Sequence, residues 1–186
     1  MRFFLLSLLI VASAAIASAA DLHVGAATVD ITPDRPVALD GQMHVRISEK
    51  PETQIFVTAL ALESREGEQS LDQAIMVSCD LVGIRQGLIE LVREKAKDRL
   101  AGFDLNKLFL NATHTHTAPV TMKGDRYNLL GKKVMLPMEY TSFLVDRIVE
   151  AMVQSWSNRK PSKVGWGQGQ AVIAQNRRAT YADGTA

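Results

Sequence analysis

The alternation of apolar and polar residues predicts three strands in the first half of the chain. Residues 22–31 are apolar and β-prone, and a Thr-Pro-Asp turn at 32–34 ends them. Apolar and polar residues alternate over 54–64, which is typical of a strand with one buried face. A polar loop at 65–68 and a second apolar run at 74–79 follow. These two strands and their loop predict a hairpin packed into a sheet.

A helical period follows the hairpin. Apolar residues recur at helical spacing over 86–100, and Gly102 follows as a stop signal. A short apolar run at 107–112 predicts the next strand. Strand, helix and strand in series favour a crossover connection, which joins parallel strands. The predicted fold class is therefore α/β, with a mixed, partly parallel sheet flanked by helices.

The last third of the chain combines a strong helix with weaker signals. Over 139–156, apolar residues fall on one helical face. Residues 163–174 predict one more strand, although three glycines within them weaken the pattern. The segment 119–137 is long and polar, and loops of this length commonly cover a site or move.

Composition and charge exclude several classes of protein. The chain has 186 residues, 47% of them hydrophobic, which suits one domain with a real core. Lys and Arg number 21 against 20 Asp and Glu, so there is no electrostatic argument for binding nucleic acid. Cys79 is the one cysteine and lies in an apolar run, which predicts a buried, inert thiol.

The first twenty residues have the pattern of a secretory signal peptide. Arg2 precedes the apolar residues 3–11, and small residues fill 12–20. We expect cleavage after Ala19 or Ala20, which would place the mature protein in the periplasm or outside the cell. An uncleaved membrane anchor is the alternative, because the apolar stretch is near the lower limit for spanning a bilayer.

His114 and His116 are the principal candidates for chemistry. They lie two residues apart at the end of a predicted strand, so their side chains point to one side, roughly 6.5–7 Å apart in an extended chain. Ligands in open α/β sheets collect at the carboxyl ends of strands, and neutral imidazole is a good zinc ligand. Both rings could bind one metal, or one could bind it while the other reaches a substrate. Two hydrogen-bonded loop histidines without a metal are the alternative.

Four segments together resemble the neutral, non-lysosomal ceramidases. Residues 24–33, Val-Gly-Ala-Ala-Thr-Val-Asp-Ile-Thr-Pro, resemble the opening strand of that family, and Asp40-Gly41 falls where it has a glycine beside the active site. Residues 111–119, Asn-Ala-Thr-His-Thr-His-Thr-Ala-Pro, resemble its double-histidine segment, with Thr-Ala in place of Ser-Gly. Residues 175–178, Gln-Asn-Arg-Arg, resemble its Asn-Arg-Ser segment, with arginine in place of serine.

The resemblance implies a role for each matching residue. His114 would bind one zinc ion, and His116 would face the substrate carbonyl or its oxyanion. Arg177 would contact the substrate, and the backbone at Gly41 would border the site. The activity implied is hydrolysis of the amide of an N-acylsphingosine to a sphingoid base and a fatty acid. The remaining zinc ligands and an active-site serine are expected beyond residue 186, so residues 21–186 would be the N-terminal part of an incomplete catalytic domain.

Two other hypotheses about function are alternatives to the amidase. One is a different metal-dependent hydrolase, an esterase or phosphatase, on a similar α/β sheet. The other is a non-catalytic exported binding domain. For the amidase we expect a small-molecule or lipid amide as partner, with no nucleic acid, and a peripheral membrane contact is compatible with it. The pattern does not determine the oligomeric state.

Overall fold

A five-stranded mixed sheet forms the centre of the molecule. The computed structural model describes residues 20–121, 127–173 and 180–185. Within them the strand order is β6-β5-β4-β1-β7, and β2 pairs with β3 in a separate two-stranded sheet. The strands are β1 (Asp21–Asp30), β2 (Val37–Leu39), β3 (Arg46–Ser48), β4 (Phe56–Glu66), β5 (Gln69–Cys79), β6 (Leu108–Ala112) and β7 (Lys160–Ser162).

The predicted hairpin is β4 and β5, which pair antiparallel, and β1 pairs antiparallel with the other edge of β4. Residues of β4 alternate between the two faces, so that Val57, Ala59 and Ala61 are fully buried. The turn contains Gly67, whose positive φ of 58° suits a glycine. The strand β5 starts five residues before the predicted apolar run, and four of those five residues are polar.

The predicted crossover is confirmed. The helix α1 (Leu88–Ala96) connects β5 to β6, and these two strands are parallel. The helix is shorter than the predicted 86–100, because its C-terminal residues 97–102 form turns. A single 3-10 turn at Leu105–Lys107 leads into β6. Mixed strand directions and a helical crossover confirm the α/β class.

The longer helix, α2 (Pro137–Ser157), covers β1 and β4. Its N-terminus is capped by Glu139, whose carboxylate accepts a hydrogen bond of 2.7 Å from the backbone N of Leu136. The predicted apolar face is buried and includes Tyr140, Leu144, Ile148 and Met152. In the described part of the chain both helices lie on one face of the sheet. The opposite face exposes Leu60, Met76 and Phe109, which are register partners across three strands.

The Asp-Ile-Thr segment at the end of β1 has a structural role. One carboxylate oxygen of Asp30 accepts from the backbone N of Thr32, and the other accepts from Nε2 of Gln54, each at 2.7 Å. The hydroxyl of Thr32 accepts from the backbone N of Ile55 at 3.0 Å. Ile31 is completely buried. These bonds close the end of β1 onto the start of β4.

The prediction of a strand over 163–174 is wrong. The last strand is β7 (Lys160–Ser162), which pairs with residues 22–24 of β1. Residues 163–173 form no regular structure, and Ala174 lies outside the described residues. Gly165, Gly167 and Gly169 supply no side chains to pack, which explains why the apolar residues between them do not hold a strand.

No helix within the described ranges is long and apolar enough to cross a membrane. The predicted signal peptide, residues 1–20, falls almost entirely on residues 1–19, which are outside those ranges.

Candidate active site

His114 and His116 follow β6 directly, at the carboxyl end of the parallel strand pair. The chain leaving β6 stays beside the loop that follows β5, because Thr113 N donates to Cys79 O and His114 N donates to Leu81 O, each at 3.0 Å. His114 itself has a positive φ of 66°, which is uncommon for a residue with a side chain. Both histidines are solvent-exposed.

The imidazole of His114 is oriented by a backbone carbonyl. Its Nδ1 lies 2.6 Å from the oxygen of Val82. A carbonyl oxygen can only accept, so in the neutral imidazole Nδ1 carries the proton and Nε2 keeps its lone pair. This is the arrangement that metal-binding histidines commonly have, with the second nitrogen held by a carbonyl or carboxylate.

The two rings meet through their Nε2 atoms. Nε2 of His116 lies 3.4 Å from Nε2 of His114, and the ring planes are inclined by 78° with centroids 4.9 Å apart. The sequence predicted that the two side chains lie on one side, and the structure brings the rings together. The backbone differs from the extended chain assumed there, because His114 has a positive φ.

Gly41 lies against the ring of His116. A β-carbon at residue 41 would come within 2.5 Å of Cγ and 2.7 Å of Nδ1 of His116, and the φ of Gly41 is 97°. A residue with a side chain would therefore displace the imidazole and also strain the backbone. The structure places Gly41 beside the histidine pair, as the resemblance implied.

A short antiparallel contact frames this pair. Asp40 N donates to Ala118 O at 3.0 Å, and Val120 N donates to Ala38 O at 2.9 Å. The residues after His116 thus run alongside β2. Gly41 and His116 lie just beyond the end of this ladder, where the two segments are still close together.

Two arginines that the sequence analysis did not single out bind the turn at Asp40. Arg85, in the loop after β5, forms an ion pair with the buried carboxylate of Asp40, and the same carboxylate accepts from Gly41 N at 2.7 Å. Arg46, the first residue of β3, donates from Nη2 to the carbonyls of both Asp40 and His116. No local pattern signals the contacts of Arg85 with Asp40 and of Arg46 with His116, because these partners are 45 and 70 residues apart.

The long polar segment also reaches the site. Tyr127 donates its hydroxyl proton to the carbonyl of Gln42, the residue after Gly41, at 2.5 Å. At its other end, Met135 N donates to Pro36 O at 2.8 Å. Tyr127 is therefore bound to a residue that follows β2, and Met135 is bound to the residue that precedes β2. Residues 122–126 lie outside the described part.

A cleft of about 470 Å³ lies against the β2–β3 hairpin, and none of His114, His116 and Gly41 is among its lining residues. Its walls combine apolar side chains with charged ones. Thr117, the residue after His116, and Leu39, two residues before Gly41, both line it. Further apolar residues that line the cleft are Val37, Ile47, Ile55 and Pro119.

The remaining site predictions have different outcomes. Arg177 lies outside the described residues, so its predicted place in the site stays a prediction. Across residues 20–121, 127–173 and 180–185 there is no group of three or more His, Cys, Asp or Glu side chains arranged to hold a metal ion. The histidine pair supplies two nitrogens. The roles predicted for His114 and His116 stay predictions.

Cys79, just before the loop that holds His114, is an inert residue as predicted. It is fully buried, and burial together with the neighbouring Asp80 raises its thiol pKa to about 12. The thiol is therefore protonated at neutral pH and takes no part in the site as a nucleophile.

Among known proteins, the chain resembles solved structures rather than sequence families. No protein-family model matches the chain, and no curated protein matches it. Among solved structures, the neutral ceramidase from Pseudomonas aeruginosa aligns with a TM-score of 0.60 and 22% identity. A ceramidase complexed with C2 aligns with a TM-score of 0.57 and 22% identity. The chain has the fold of part of a neutral ceramidase.

Each alignment with these ceramidases covers 76% of this chain and 22% of the other chain. The chain thus spans about a fifth of the length of the ceramidases it matches. The resemblance to neutral ceramidases that the four sequence segments carry is confirmed at the level of the fold. Fold alone does not determine chemistry, so the function depends on the residues of the site.

Proposed function

We propose that this chain is the N-terminal part of a ceramidase-like hydrolase that uses zinc to cleave a linear amide. The observation that supports this most directly is the pair of Nε2 atoms 3.4 Å apart at the end of β6, with His114 held through Nδ1 by Val82 O. The likeness of the fold to neutral ceramidases favours a hydrolase over a binding domain.

The spacing of the two nitrogens fits a zinc site. With Zn–N bonds of about 2.0–2.1 Å at a tetrahedral angle, two nitrogen ligands of one ion lie about 3.3–3.4 Å apart. The observed 3.4 Å agrees with this value. His114 is the ligand in our proposal, and His116 is near enough to reach either the same ion or the carbonyl bound to it. The further ligands that a catalytic zinc needs would come from beyond residue 186.

The chain's own residues would bind and orient the substrate. Bound zinc would lower the pKa of a water molecule and polarise the carbonyl. His116 would hold the carbonyl oxygen as negative charge develops on it, and the absent side chain of Gly41 leaves His116 the space for this position. Arg177 would contact the substrate. Hydrolysis adds water across the C–N bond and yields a carboxylic acid and an amine.

The cleft that includes Thr117 and Leu39 is compatible with an amide that carries an apolar substituent. Its apolar residues, Val37, Leu39, Ile47, Ile55 and Pro119, could cover an acyl or sphingoid chain. Its volume of about 470 Å³ lies within the range of small-molecule sites. Leu130, in the long segment, is 89% exposed and is available for contact with a lipid. N-acylsphingosine is the substrate that we propose.

Export by a signal peptide is part of the proposal. A periplasmic or secreted enzyme would meet extracellular or membrane-derived lipid. N-terminal sequencing of secreted protein should begin at or near Asp21. Recovery of secreted material that begins at Met1 would contradict cleavage.

The proposed metal site can be tested by measuring zinc binding, which does not require an active enzyme. We expect Zn²⁺ added to the chain to shift the imidazole NMR signals of His114, and His114→Ala to abolish specific binding. His44→Ala is the matched control, because His44 is an exposed histidine outside the pair. Equal Zn²⁺ affinity in the His114→Ala and His44→Ala variants would refute His114 as a ligand.

Activity is tested on a chain extended beyond residue 186. N-acylsphingosine, a simple N-acyl amide, a carboxylic ester and a phosphate monoester are offered in parallel. The proposal expects amide turnover that is lost on chelation and in His114→Ala. Turnover of the ester or the phosphate with none of either amide would instead support the other class of metal hydrolase.

A further inference from the structure

Arg46 occupies a special place relative to the histidine pair. It is the first residue of β3 and lies opposite Leu39 of β2 in the hairpin register. Its guanidinium turns towards the end of the hairpin. There Nη2 lies 3.2 Å from the carbonyl oxygen of Asp40 and also donates to the carbonyl oxygen of His116.

The two carbonyls belong to the two segments that meet at the site. Asp40 directly precedes Gly41, and Gly41 is the residue against which the ring of His116 packs. Among the described residues, the backbone ladder between these segments includes Asp40 N to Ala118 O and no bond of His116 itself. Arg46 supplies a side-chain bond that joins His116 O to the turn at Gly41.

We propose that Arg46 is a positioning residue that holds the backbone of His116 against Gly41 and so directs Nε2 of His116 towards Nε2 of His114. The position of Arg46 follows from its bonds to the carbonyl oxygens of Asp40 and His116. Its consequence for catalysis rests on the proposed function.

A general stabilising role for the arginine would give a different result from a positioning role. Arg93 is a suitable control, because its Nε donates to the carbonyl of Leu105 at 3.0 Å, away from the histidines. Arg46→Met and Arg93→Met each remove a bond from an arginine to a backbone carbonyl. Only the first should change the contact between Gly41 and His116.

The experiment is an NMR comparison of the wild-type chain, Arg46→Met and Arg93→Met. Wild type should show a nuclear Overhauser effect between Gly41 Hα and the His116 ring, and a ring-current shift of Gly41 Hα. Arg46→Met should lose both, while amide signals of β1, β4 and α2 stay in place. Arg93→Met should keep both. Retention of both signals in a folded Arg46→Met chain would overturn the proposal.

A measurement on the unaltered chain decides the matter if Arg46→Met does not fold. The side chain of Arg46 should show a nuclear Overhauser effect to His116 Hα. Absence of that contact in wild type would overturn the proposal equally well, and its presence would support it.

Zinc separates this inference from the proposed function. In wild type, added Zn²⁺ should shift the ring signals of both histidines. In Arg46→Met it should still shift His114, and the response of His116 should be lost. If Zn²⁺ shifts neither ring in wild type, the proposed metal chemistry fails, whereas the NMR contacts still decide the role of Arg46. An unchanged response of His116 in the variant would count against positioning.

Discussion

The ring of His116 fills the position that a side chain at residue 41 would need, and Gly41 has a φ that favours glycine. We expect Gly41→Ala to destabilise the fold by about 2–4 kcal/mol, because overpacking and left-handed strain add. Chemical denaturation measures the loss. Gly102→Ala is the control, since Gly102 has a φ of 77° and open space at its β-carbon. Equal losses in the two variants would show that the contact with His116 contributes nothing.

The packing of β1 against α2 leads to a second prediction. A β-carbon at Gly25 would lie 2.1 Å from the carbonyl oxygen of Ser155 and 2.7 Å from the backbone N of Arg159. Both are backbone atoms, so relief requires the helix to move. We expect Gly25→Ala to lower the free energy of unfolding by about 3 kcal/mol or more.

Thermal unfolding of Gly25→Ala alongside Gly165→Ala checks this prediction. Gly165 lies in an irregular exposed segment, and a β-carbon added there would meet no atom within 4 Å. Its substitution should change stability by less than about 0.5 kcal/mol. A Gly25→Ala protein as stable as Gly165→Ala would contradict the close contact.

A buried ion pair predicts how stability depends on pH. Nε of Arg159 donates to a carboxylate oxygen of Glu63 at 2.9 Å, and both side chains are largely buried. Burial opposes ionisation of Glu63, but hydrogen bonds from Ser70 and Arg159 and the charge of Arg159 outweigh it and lower the pKa below 4.5. Ionised Glu63 therefore stabilises the fold above its ordinary pKa, and this contribution is lost as pH falls through the lowered value.

Arg159→Met tests that pair. At pH 7 we expect a loss of about 3 kcal/mol, because a buried carboxylate loses its cation. The loss should shrink as the pH falls below 4.5 and Glu63 is protonated. Lys107→Met is the control, because its partner Asp72 is exposed and the effect should be much smaller. A loss that does not depend on pH would mean that Arg159 acts through Trp156 instead, by stacking on its ring and by donating to its carbonyl oxygen.

The buried thiol gives a chemical prediction. With a pKa of about 12, Cys79 should have a thiolate fraction at pH 8 on the order of 1000-fold below that of an unfolded cysteine. A thiol reagent should therefore label the native chain very slowly and the denatured chain at once. Rapid labelling under native conditions would show that the strand β5 opens.

The pattern of apolar and polar residues predicted the longer helix and the central strands. The apolar period of α2 and the parallel pair β5–β6 follow from side-chain spacing and from the geometry of a crossover. The strand expected over 163–174 failed, because its glycines leave little to pack. The short strands β2 and β3 were missed, since three residues are too few to carry a period.

The site could be predicted only in part. The double-histidine spacing indicated His114 and His116, and the resemblance to neutral ceramidases implied Gly41. The structure brings these three residues together. Arg46 and Arg85 carry no signature, because an arginine that binds a distant carbonyl or carboxylate resembles any surface arginine in sequence. The positive φ at His114 was also beyond prediction from a single sequence, since only a few per cent of non-glycine residues adopt it, although histidine does so more often than most.

That backbone conformation has a consequence for engineering the protein. A left-handed residue with a side chain costs about 1–2 kcal/mol relative to the right-handed form, and glycine at position 114 would remove this cost. Selection of random variants for heat resistance alone would therefore tend to accept replacements at this position. Screens that reward durability without testing for function can lose the imidazole, so any thermostable descendant of this chain must be checked for the presence of His114.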